Sequence, residues 1–499
     1  MSGILPTEQK LQWNQPLGTI TDAQVAALDA LVLILPESAR QGAWPDFPHA
    51  EWLRRQYRAT GKNAPAPLTV NLPNPAATRV CLGFLAAGAD AFNRLSLARR
   101  LAEAALGYNP ARLGVLALTD EPPAMAEAAT AALLAAIFPL PTLKQEAPPA
   151  APLKSVTLLG LAKKLDLTRV QAEAAGNNLA RWLAVLPGNH LTPALYHRKL
   201  AALAKREGWQ FSFLGETELK RKKAGAFLAV AQGSAARDAG IAHIRYRPAR
   251  RGKRPGIALV GKGICFDTGG TNLKGAKGMF GMHGDMQGSA VALGTLLALT
   301  RLKADFPIDC WLAISENRIG PAAYKQNDVV VASNGVSIEI THTDAEGRMV
   351  LADTLALASK AKPAALLDYA TLTGTCVHSL GTSYSGAFTN RIELAQLLIQ
   401  CGRDSGERVW PFPNDSDYDK QLESSIADIK QCLIEGEADH ILASRFLNRF
   451  VEPSVPWVHL DLAASEHKGG LAHVPSEVTG FGVRYSLNLL LDKGFGSAA

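Results

Sequence analysis

Apolar and polar positions follow two different periods along the first third of the chain, and together they predict a small α/β unit. Short apolar runs predict strands, whereas alanine-rich stretches with apolar residues three or four apart predict helices. The predicted strands are 30–35, 79–84, 112–118 and 155–160, and the predicted helices are 91–106 and 121–138. Strands that alternate with helices favour a largely parallel sheet.

The same alternation continues through the rest of the chain, with one interruption. The predicted strands are 256–260, 308–314, 336–341 and 364–370, and the predicted helices are 167–185, 291–302 and 349–361. Periodicity is lost among the glycines of 261–290, and a loop of that length inside a compact fold is usually functional. Asn334 and Gly335 predict a hairpin turn before the strand at 336–341.

A chain of 499 residues favours two domains over one. We predict an α/β protein with a small N-terminal α/β domain at 1–165 and a larger C-terminal α/β domain at 166–499, whose central mixed sheet is flanked by helices. The first domain has no group of histidines, cysteines or carboxylates with ligand spacing. It is therefore interpreted as a scaffold or assembly domain.

Candidate chemistry is concentrated at 341–353, THTDAEGRMVLAD, where a predicted strand meets a predicted helix. Asp344, Glu346 and Arg348 occupy alternate positions there. In a nearly extended backbone, residues two apart point to the same side, which predicts that these three side chains converge. The alternative is structural, because Thr343 and Glu346 also match a helix capping box.

The glycine-rich stretch adds a second set of charged residues. These are Lys262, Asp267, Lys274 and Asp285. Three aspartates and a glutamate at one point would repel one another, and two divalent cations bridged by shared carboxylates would neutralise them. Oxygen-rich ligation suits Zn²⁺, Mn²⁺, Co²⁺ or Mg²⁺. The residue types alone do not determine which carboxylate bridges. Ser315, Glu316 and Asn317 follow the predicted strand 308–314 at its C-terminal end, where open α/β sheets place their sites.

Several motifs together resemble the leucyl aminopeptidases, also called cytosol aminopeptidases. They are GKGICFDTGG at 261–270, Lys274, GDMQGSA at 284–290, HTDAEGRMVLAD at 342–353, and shorter matches at 189–193, 225–234 and 371–374. The resemblance covers roughly the C-terminal two thirds of the chain. It implies a metal-dependent exopeptidase that uses a metal-bridging water to remove the N-terminal residue of peptides, with leucine-like residues preferred, and the 167–185 helix resembles the family's interdomain linker.

The resemblance also implies a set of metal ligands. Asp267 and Glu346 would bridge two ions, Mn²⁺ or Zn²⁺ above others, Asp344 would complete one site, and Asp285 with Lys262 would complete the other. A lysine can ligate only as a neutral amine, although its ordinary pKa is about 10.4. A neighbouring dication can lower that pKa by several units.

Catalytic and substrate-binding roles follow from the same resemblance. Lys274 would polarise the scissile carbonyl and stabilise the oxyanion, and Arg348 would hold a bicarbonate ion that shuttles protons. The pocket for the first side chain would be formed by Met282, Thr371, Leu372 and Gly374. Met282 could equally fill the core. His342 and Gln287 depart from the family pattern, and a structural role is favoured for His342 over metal contact.

Composition and charge restrict the expected cellular location and the possible binding partners. The net charge of +7 includes basic clusters at 220–223 and 245–254, which favour a solvated face over a nucleic-acid site. Six cysteines without CxxC spacing favour reduced thiols, and neither a secretory signal nor a membrane span is predicted. We therefore expect a cytoplasmic protein that acts on peptides and, by resemblance, assembles as a hexamer, a dimer of trimers.

Two other classes of protein are alternatives to the peptidase hypothesis. A catalytically altered paralogue that serves as a DNA-binding or scaffold protein would fit the basic excess, but the chain keeps every ligand and cation of the family motif. A two-metal phosphoesterase would use similar ligands and would cleave p-nitrophenyl phosphate, which is not expected here.

Overall fold

The protein is described by a computed structural model. It covers residues 5–7, 10–60, 67–146, 151–250 and 252–497. Two compact units are present, and their boundary falls within one helix. The smaller unit comprises Thr7–Ala174 and Lys468–Glu477, and the larger comprises Met1–Pro6, Ala175–His467 and Val478–Ala499. The predicted domain boundary at 165/166 stays a prediction.

The smaller unit is a six-stranded sheet with helices. Its elements are β1 (Gln12–Asn14), α1 (Asp22–Ala26), β2 (Ala30–Pro36), α2 (Ala50–Ala59), β3 (Leu68–Asn71), β4 (Arg79–Leu85), α3 (Ala91–Leu106), β5 (Arg112–Ala117), α4 (Pro122–Ile137) and β6 (Ser155–Leu159). The strand order is β1-β6-β5-β2-β4-β3, and only the β3–β4 pair is antiparallel. The predicted parallel sheet is confirmed.

Strand β2 shows why an uninterrupted apolar run forms a strand here. Val32 and Ile34 pack on one side of the sheet with α3 and α4, whereas Leu31 and Leu33 pack on the other side. Successive side chains of a strand point to opposite faces, so a strand with both faces covered must be apolar throughout.

The remaining elements belong to the larger unit, except that the residues of their first helix up to Ala174 belong to the smaller one. They are α5 (Thr168–Val185), α6 (Pro193–Glu207), β7 (Gln210–Leu214), α7 (Glu216–Arg221), α8 (Gly225–Ala231), β8 (Gly240–Tyr246), β9 (Ile257–Asp267), α9 (Ala276–Met279), α10 (Gln287–Arg301), β10 (Ile308–Asn317), β11 (Val329–Val331), β12 (Ser337–Glu339), α11 (Glu346–Ser359), β13 (Leu366–Ala370), α12 (Gly374–Leu380), β14 (Ser385–Thr389), α13 (Ala395–Ser405), β15 (Val409–Pro411), β16 (Ile429–Lys430), α14 (Asp439–Asn448), β17 (Trp457–Asp461) and α15 (Val483–Leu487). Its main sheet has the order β15-β14-β17-β13-β9-β10-β8-β7. The four central strands β17, β13, β9 and β10 are parallel, and antiparallel pairs flank them, which makes the sheet mixed as predicted.

The sequence-based boundary of the glycine-rich loop is wrong at both ends. Strand β9 continues past Val260 to Asp267, and α10 begins at Gln287 instead of residue 291. The glycines serve close packing, because a Cβ on Gly261 would lie 2.5 Å from the Cα of Ser289 in α10. Periodicity misses this strand because glycine has no side chain to alternate. The loop that remains spans 268–286.

The predicted hairpin and the predicted reduced cysteines are confirmed. Strands β11 and β12 form an antiparallel hairpin whose turn includes Gly335 at φ +93°, although β12 is shorter than the predicted strand at 336–341. All six cysteines are buried and unbridged. No helix among the described residues is long and apolar enough to cross a membrane.

Candidate active site

Polar residues from four parallel strands meet at one edge of the main sheet. Asp267 ends β9, Asn317 ends β10, Asp461 ends β17, and Thr371 directly follows β13. Because the carboxyl ends of parallel strands share one edge, residues far apart in sequence are brought together there. A cavity of about 670 Å³ opens at this edge, and its wall includes Asp267, Thr371 and Asp461.

Three carboxylates form the centre of this site. One carboxylate oxygen from each of Asp267, Asp344 and Glu346 lies within 4.8 Å of the others. Glu346 and Asp267 are buried, and the Asp344 side chain is 27% exposed. The predicted convergence of these residues across the two motifs is therefore seen in the geometry.

The local backbone differs from the extended conformation that the alternation implied. Glu346 is the first residue of α11 and Ala345 is its N-cap, without any side-chain cap hydrogen bond. The capping-box alternative is therefore wrong, and the Thr343 hydroxyl instead donates to the Gly269 carbonyl at 2.7 Å. Arg348 lines the same cavity as Asp344 and Glu346. The convergence of all three side chains on one small volume stays a prediction for Arg348.

Buried Lys262 and partly buried Lys274 lie against the carboxylates. Lys262 Nζ is 2.8 Å from Asp285 Oδ2 and 2.9 Å from Glu346 Oε1. Lys274 Nζ is 3.0 Å from Asp267 Oδ2 and 2.6 Å from Asp344 Oδ1. Asp285 lies outside the group of three carboxylates and is linked to Glu346 through the Lys262 ammonium.

Burial and neighbouring charges shift the pKa values of these groups. Burial opposes charge on Lys262, but Asp285 and Glu346 outweigh it and raise the pKa of Lys262 above its ordinary value. The pKa of Lys274 is raised in the same way by Asp267 and Asp344. Burial raises the pKa of Asp285 to about 6, and burial together with Asp267 raises that of Glu346 well above its ordinary value. The acids therefore lack sufficient positive charge.

These residues fit divalent cations. Within the described part of the chain, Asp285 Oδ2 and Asp344 Oδ1 are buried carboxylate oxygens that accept no hydrogen bond, although each has a lysine at ion-pair distance. Buried charged oxygens without aligned donors are costly, and a metal ion removes that cost. The oxygen-rich donor set suits such an ion.

Comparison with known proteins agrees with this geometry. Residues 178–487 match the catalytic domain of the cytosol aminopeptidase family. The chain belongs to that family. It is 38% identical over 412 residues to a probable cytosol aminopeptidase of Parasynechococcus marenigrum, covering 80% of this chain and 83% of the relative. It is 43% identical over 312 residues to one of Acidovorax ebreus, covering 62% of each.

Solved structures share the fold. A tomato leucine aminopeptidase mutant superposes with a TM-score of 0.85 at 26% identity, covering 98% of both chains. The bottromycin maturation enzyme BotP in complex with Mn gives a TM-score of 0.79 at 29% identity, covering 93% of this chain and 99% of that one. This cytosol aminopeptidase family member is therefore a metal-dependent peptidase, a hydrolase of the leucyl aminopeptidase type.

The predicted substrate residues surround the same cavity of the aminopeptidase. Its wall includes Met282, Thr371, Leu372 and Gly374, together with the departures His342 and Gln287. The Thr371 hydroxyl donates to Asp285 Oδ1 at 2.7 Å. The Leu372 N–H donates to Asp461 Oδ1 at 3.0 Å, which holds the 371–374 segment against β17. His342 Nδ1 accepts a hydrogen bond from the Asp344 N–H at 3.3 Å, a contact that orients the backbone beside a predicted ligand.

Arg348 lines the cavity and is held there by partners outside the carboxylate group. Its Nη2 donates to both oxygens of Asp439 at 2.9 Å, and its Nη1 donates to the Gln431 carbonyl at 3.3 Å. The side chain is 3% exposed, and Asp439 raises its pKa against the effect of burial. Asp439 was not expected as its partner, because it lies 91 residues further along the chain.

Asn317 is a site residue to which sequence reasoning assigned no role. It is fully buried, and its amide nitrogen donates to Asp267 Oδ1 at 2.8 Å, to the Thr343 carbonyl at 3.0 Å and to Glu346 Oε2 at 3.4 Å. The Tyr324 hydroxyl donates to the same carbonyl at 2.8 Å. The position of Asn317 at the C-terminal end of a strand was the only sequence feature that suggested a site residue. Its hydrogen-bond partners could not be predicted, because they lie on other elements.

Proposed function

We propose that this protein removes the N-terminal residue of peptides with two divalent metal ions held by Lys262, Asp267, Asp285, Asp344 and Glu346. The observation that carries this proposal is the group of three carboxylates within 4.8 Å of one another at the cavity. Bound ions would lower the pKa of a water molecule and polarise a carbonyl. Mn²⁺ and Zn²⁺ are the ions we favour, and the manganese complex of BotP supports the first.

The residues of the chain have distinct tasks in this proposal. Lys274 supplies a fixed ammonium beside Asp267 and Asp344, where it stabilises negative charge that develops on the scissile carbonyl oxygen. Asn317 holds the carboxylates of Asp267 and Glu346 in place with its amide. Preorganised charges and dipoles of this kind need little rearrangement during the reaction.

Arg348 is proposed to bind a bicarbonate ion that shuttles protons. The Arg348 side chain lines the cavity, and its buried Nε makes no hydrogen bond to any residue that the structure describes. A guanidinium matches the planar geometry of a carboxylate-like anion. Asp439, which engages Nη2, would hold the guanidinium in position while the anion is bound.

The substrate is proposed to be a peptide whose first side chain enters the pocket beside Met282, Thr371, Leu372 and Gly374. An apolar wall accommodates leucine-like residues with only a modest penalty for each missing methylene. We further propose a cytoplasmic location and a homohexamer, a dimer of trimers, from the resemblance to the family. Light scattering should then give six times the 53.1 kDa chain mass, and a monomer mass would contradict the assembly.

The decisive experiment compares wild type with Glu346→Gln, which keeps the side-chain shape but removes the charge. Release of p-nitroaniline from leucine p-nitroanilide should require added Mn²⁺ or Zn²⁺ and should fall at least about 100-fold in the variant, because the site loses a ligand. Glu435→Gln is the matched control, since Glu435 is exposed. Unchanged turnover by Glu346→Gln would refute the assignment. Cleavage of p-nitrophenyl phosphate in its place would favour a phosphoesterase.

A further inference from the structure

One carboxylate on the cavity wall has no task in the proposed reaction. Glu466 follows β17 in the chain, is exposed, and lines the cavity that contains the metal-binding carboxylates. Its Oε1 accepts a hydrogen bond from Gln287 Nε2 at 3.0 Å. Gln287 is 4% exposed and begins α10, so a rigid, buried amide holds Glu466 at this position.

The location of Glu466 relative to the reaction centre follows from Gly284. A Cβ added to Gly284 would lie 3.1 Å from Glu466 Oε1, so the carboxylate contacts the short turn Met282–Gly284. Asp285 follows that turn directly and meets Lys262. Glu466 therefore lies on the wall that begins at the proposed metal site and includes Met282.

This part of the wall combines an apolar surface with a negative charge. Met282 and Leu462 line the same cavity as Glu466. Lysine and arginine side chains have the complementary character, because a long aliphatic stem carries a cationic head. A hydrogen bond between a guanidinium or ammonium and a carboxylate is stronger than one between neutral groups.

We propose that Glu466 determines specificity for a basic first residue, so that the enzyme accepts peptides with N-terminal arginine or lysine. The inference rests on the proposed function, because only an enzyme that cleaves after the first residue places that side chain next to the reaction centre. The stem packs along Met282 while the cationic head reaches Glu466. Leucine-like residues use the apolar surface alone and gain nothing from the charge.

The test measures kcat/KM of the manganese-loaded enzyme on the p-nitroanilides of arginine, lysine, leucine and methionine. Wild type should cleave the arginine and lysine substrates at least as efficiently as leucine. In Glu466→Gln both basic substrates should lose about 10- to 100-fold, the factor expected for one charge-assisted hydrogen bond. The leucine and methionine substrates should stay within about threefold, since their contacts are apolar. The glutamine can still accept the bond from Gln287, so the fold is preserved.

Two further variants separate local recognition from other effects. Glu466→Arg should transfer the preference to glutamate and aspartate p-nitroanilides, because the sign of the wall charge is reversed. Glu435→Gln removes an equal charge from an exposed residue and should leave the basic-to-leucine ratio unchanged. An equal selective loss in Glu435→Gln would show that only the general field matters, and it would overturn the proposal.

The remaining outcomes distinguish this inference from the proposed function. Wild type that cleaves leucine but not arginine or lysine p-nitroanilide would overturn the role of Glu466 and leave the peptidase assignment intact. An equal loss of kcat/KM on all four substrates in Glu466→Gln would show that Glu466 binds the α-ammonium group common to them. That result would also overturn the proposed specificity role. Wild type that cleaves none of the substrates would contradict the proposed function itself.

Discussion

Asn317 offers a strict test of how the metal site is held together. Replacing it with alanine removes the donor to Asp267 Oδ1 at 2.8 Å and to the Thr343 carbonyl at 3.0 Å. A buried hydrogen bond to a charged group contributes about 1.5–3 kcal/mol and one to a neutral group about 0.5–1.5 kcal/mol. We therefore expect the metal-free variant to lose about 2–4 kcal/mol of unfolding free energy.

The effect on metal binding should be equally clear. Asp267 and Glu346 would lose the amide that orients them, and loss of such a partner typically costs about 10- to 100-fold in metal affinity. Urea unfolding with and without Mn²⁺, together with isothermal titration by Mn²⁺, measures both quantities. Asn334→Ala is the control, because that amide is exposed and its hydrogen bonds, to the Arg449 carbonyl and from the Val336 N–H, do not involve the metal site. A manganese affinity within twofold of wild type would refute the proposed positioning role.

Two further predictions concern protons. Neighbouring acids raise the pKa of Lys262, so this residue must release its proton before it can ligate a metal. We therefore expect the Mn²⁺ affinity to fall as the pH is lowered. Equal binding enthalpies in buffers of different ionisation enthalpy would contradict proton release. Burial raises the pKa of Asp353 to about 6 despite hydrogen bonds from the N–H groups of Phe227 and Ser333. Because the pKa of Asp353 is higher in the folded state than in the unfolded state, where it is about 3.8, this group stabilises the folded state at pH values below about 3.8. The contribution is lost as the pH rises through about 6. Relative to Asp353→Asn, wild type should therefore lose up to about 3 kcal/mol of unfolding free energy between pH 4 and 7, and a constant difference would show that Asp353 is ionised throughout.

The classes of structure and chemistry could be predicted from the amino-acid sequence alone. Periodicity located strands such as β2, β4 and β10 and the five helices α3, α4, α5, α10 and α11, because it reflects which side chains a strand or helix must bury. The letters of 261–270 and 342–353 were sufficient to indicate a carboxylate-rich metal site, since repulsion among the acids requires cations. The first inference depends on residues that are close along the chain, and the second depends on the residue types of two separate motifs.

Which residues contact one another became known only from the three-dimensional fold. The pairs Asn317 with Asp267, Arg348 with Asp439, and Glu466 with Gln287 are separated by 50, 91 and 179 residues. Their contacts follow from the order of parallel strands and the helices packed on them, which local periodicity does not encode. The continuation of β9 through Gly261 was missed for the same reason, because only the approach of Ser289 in α10 explains why a side chain is absent there.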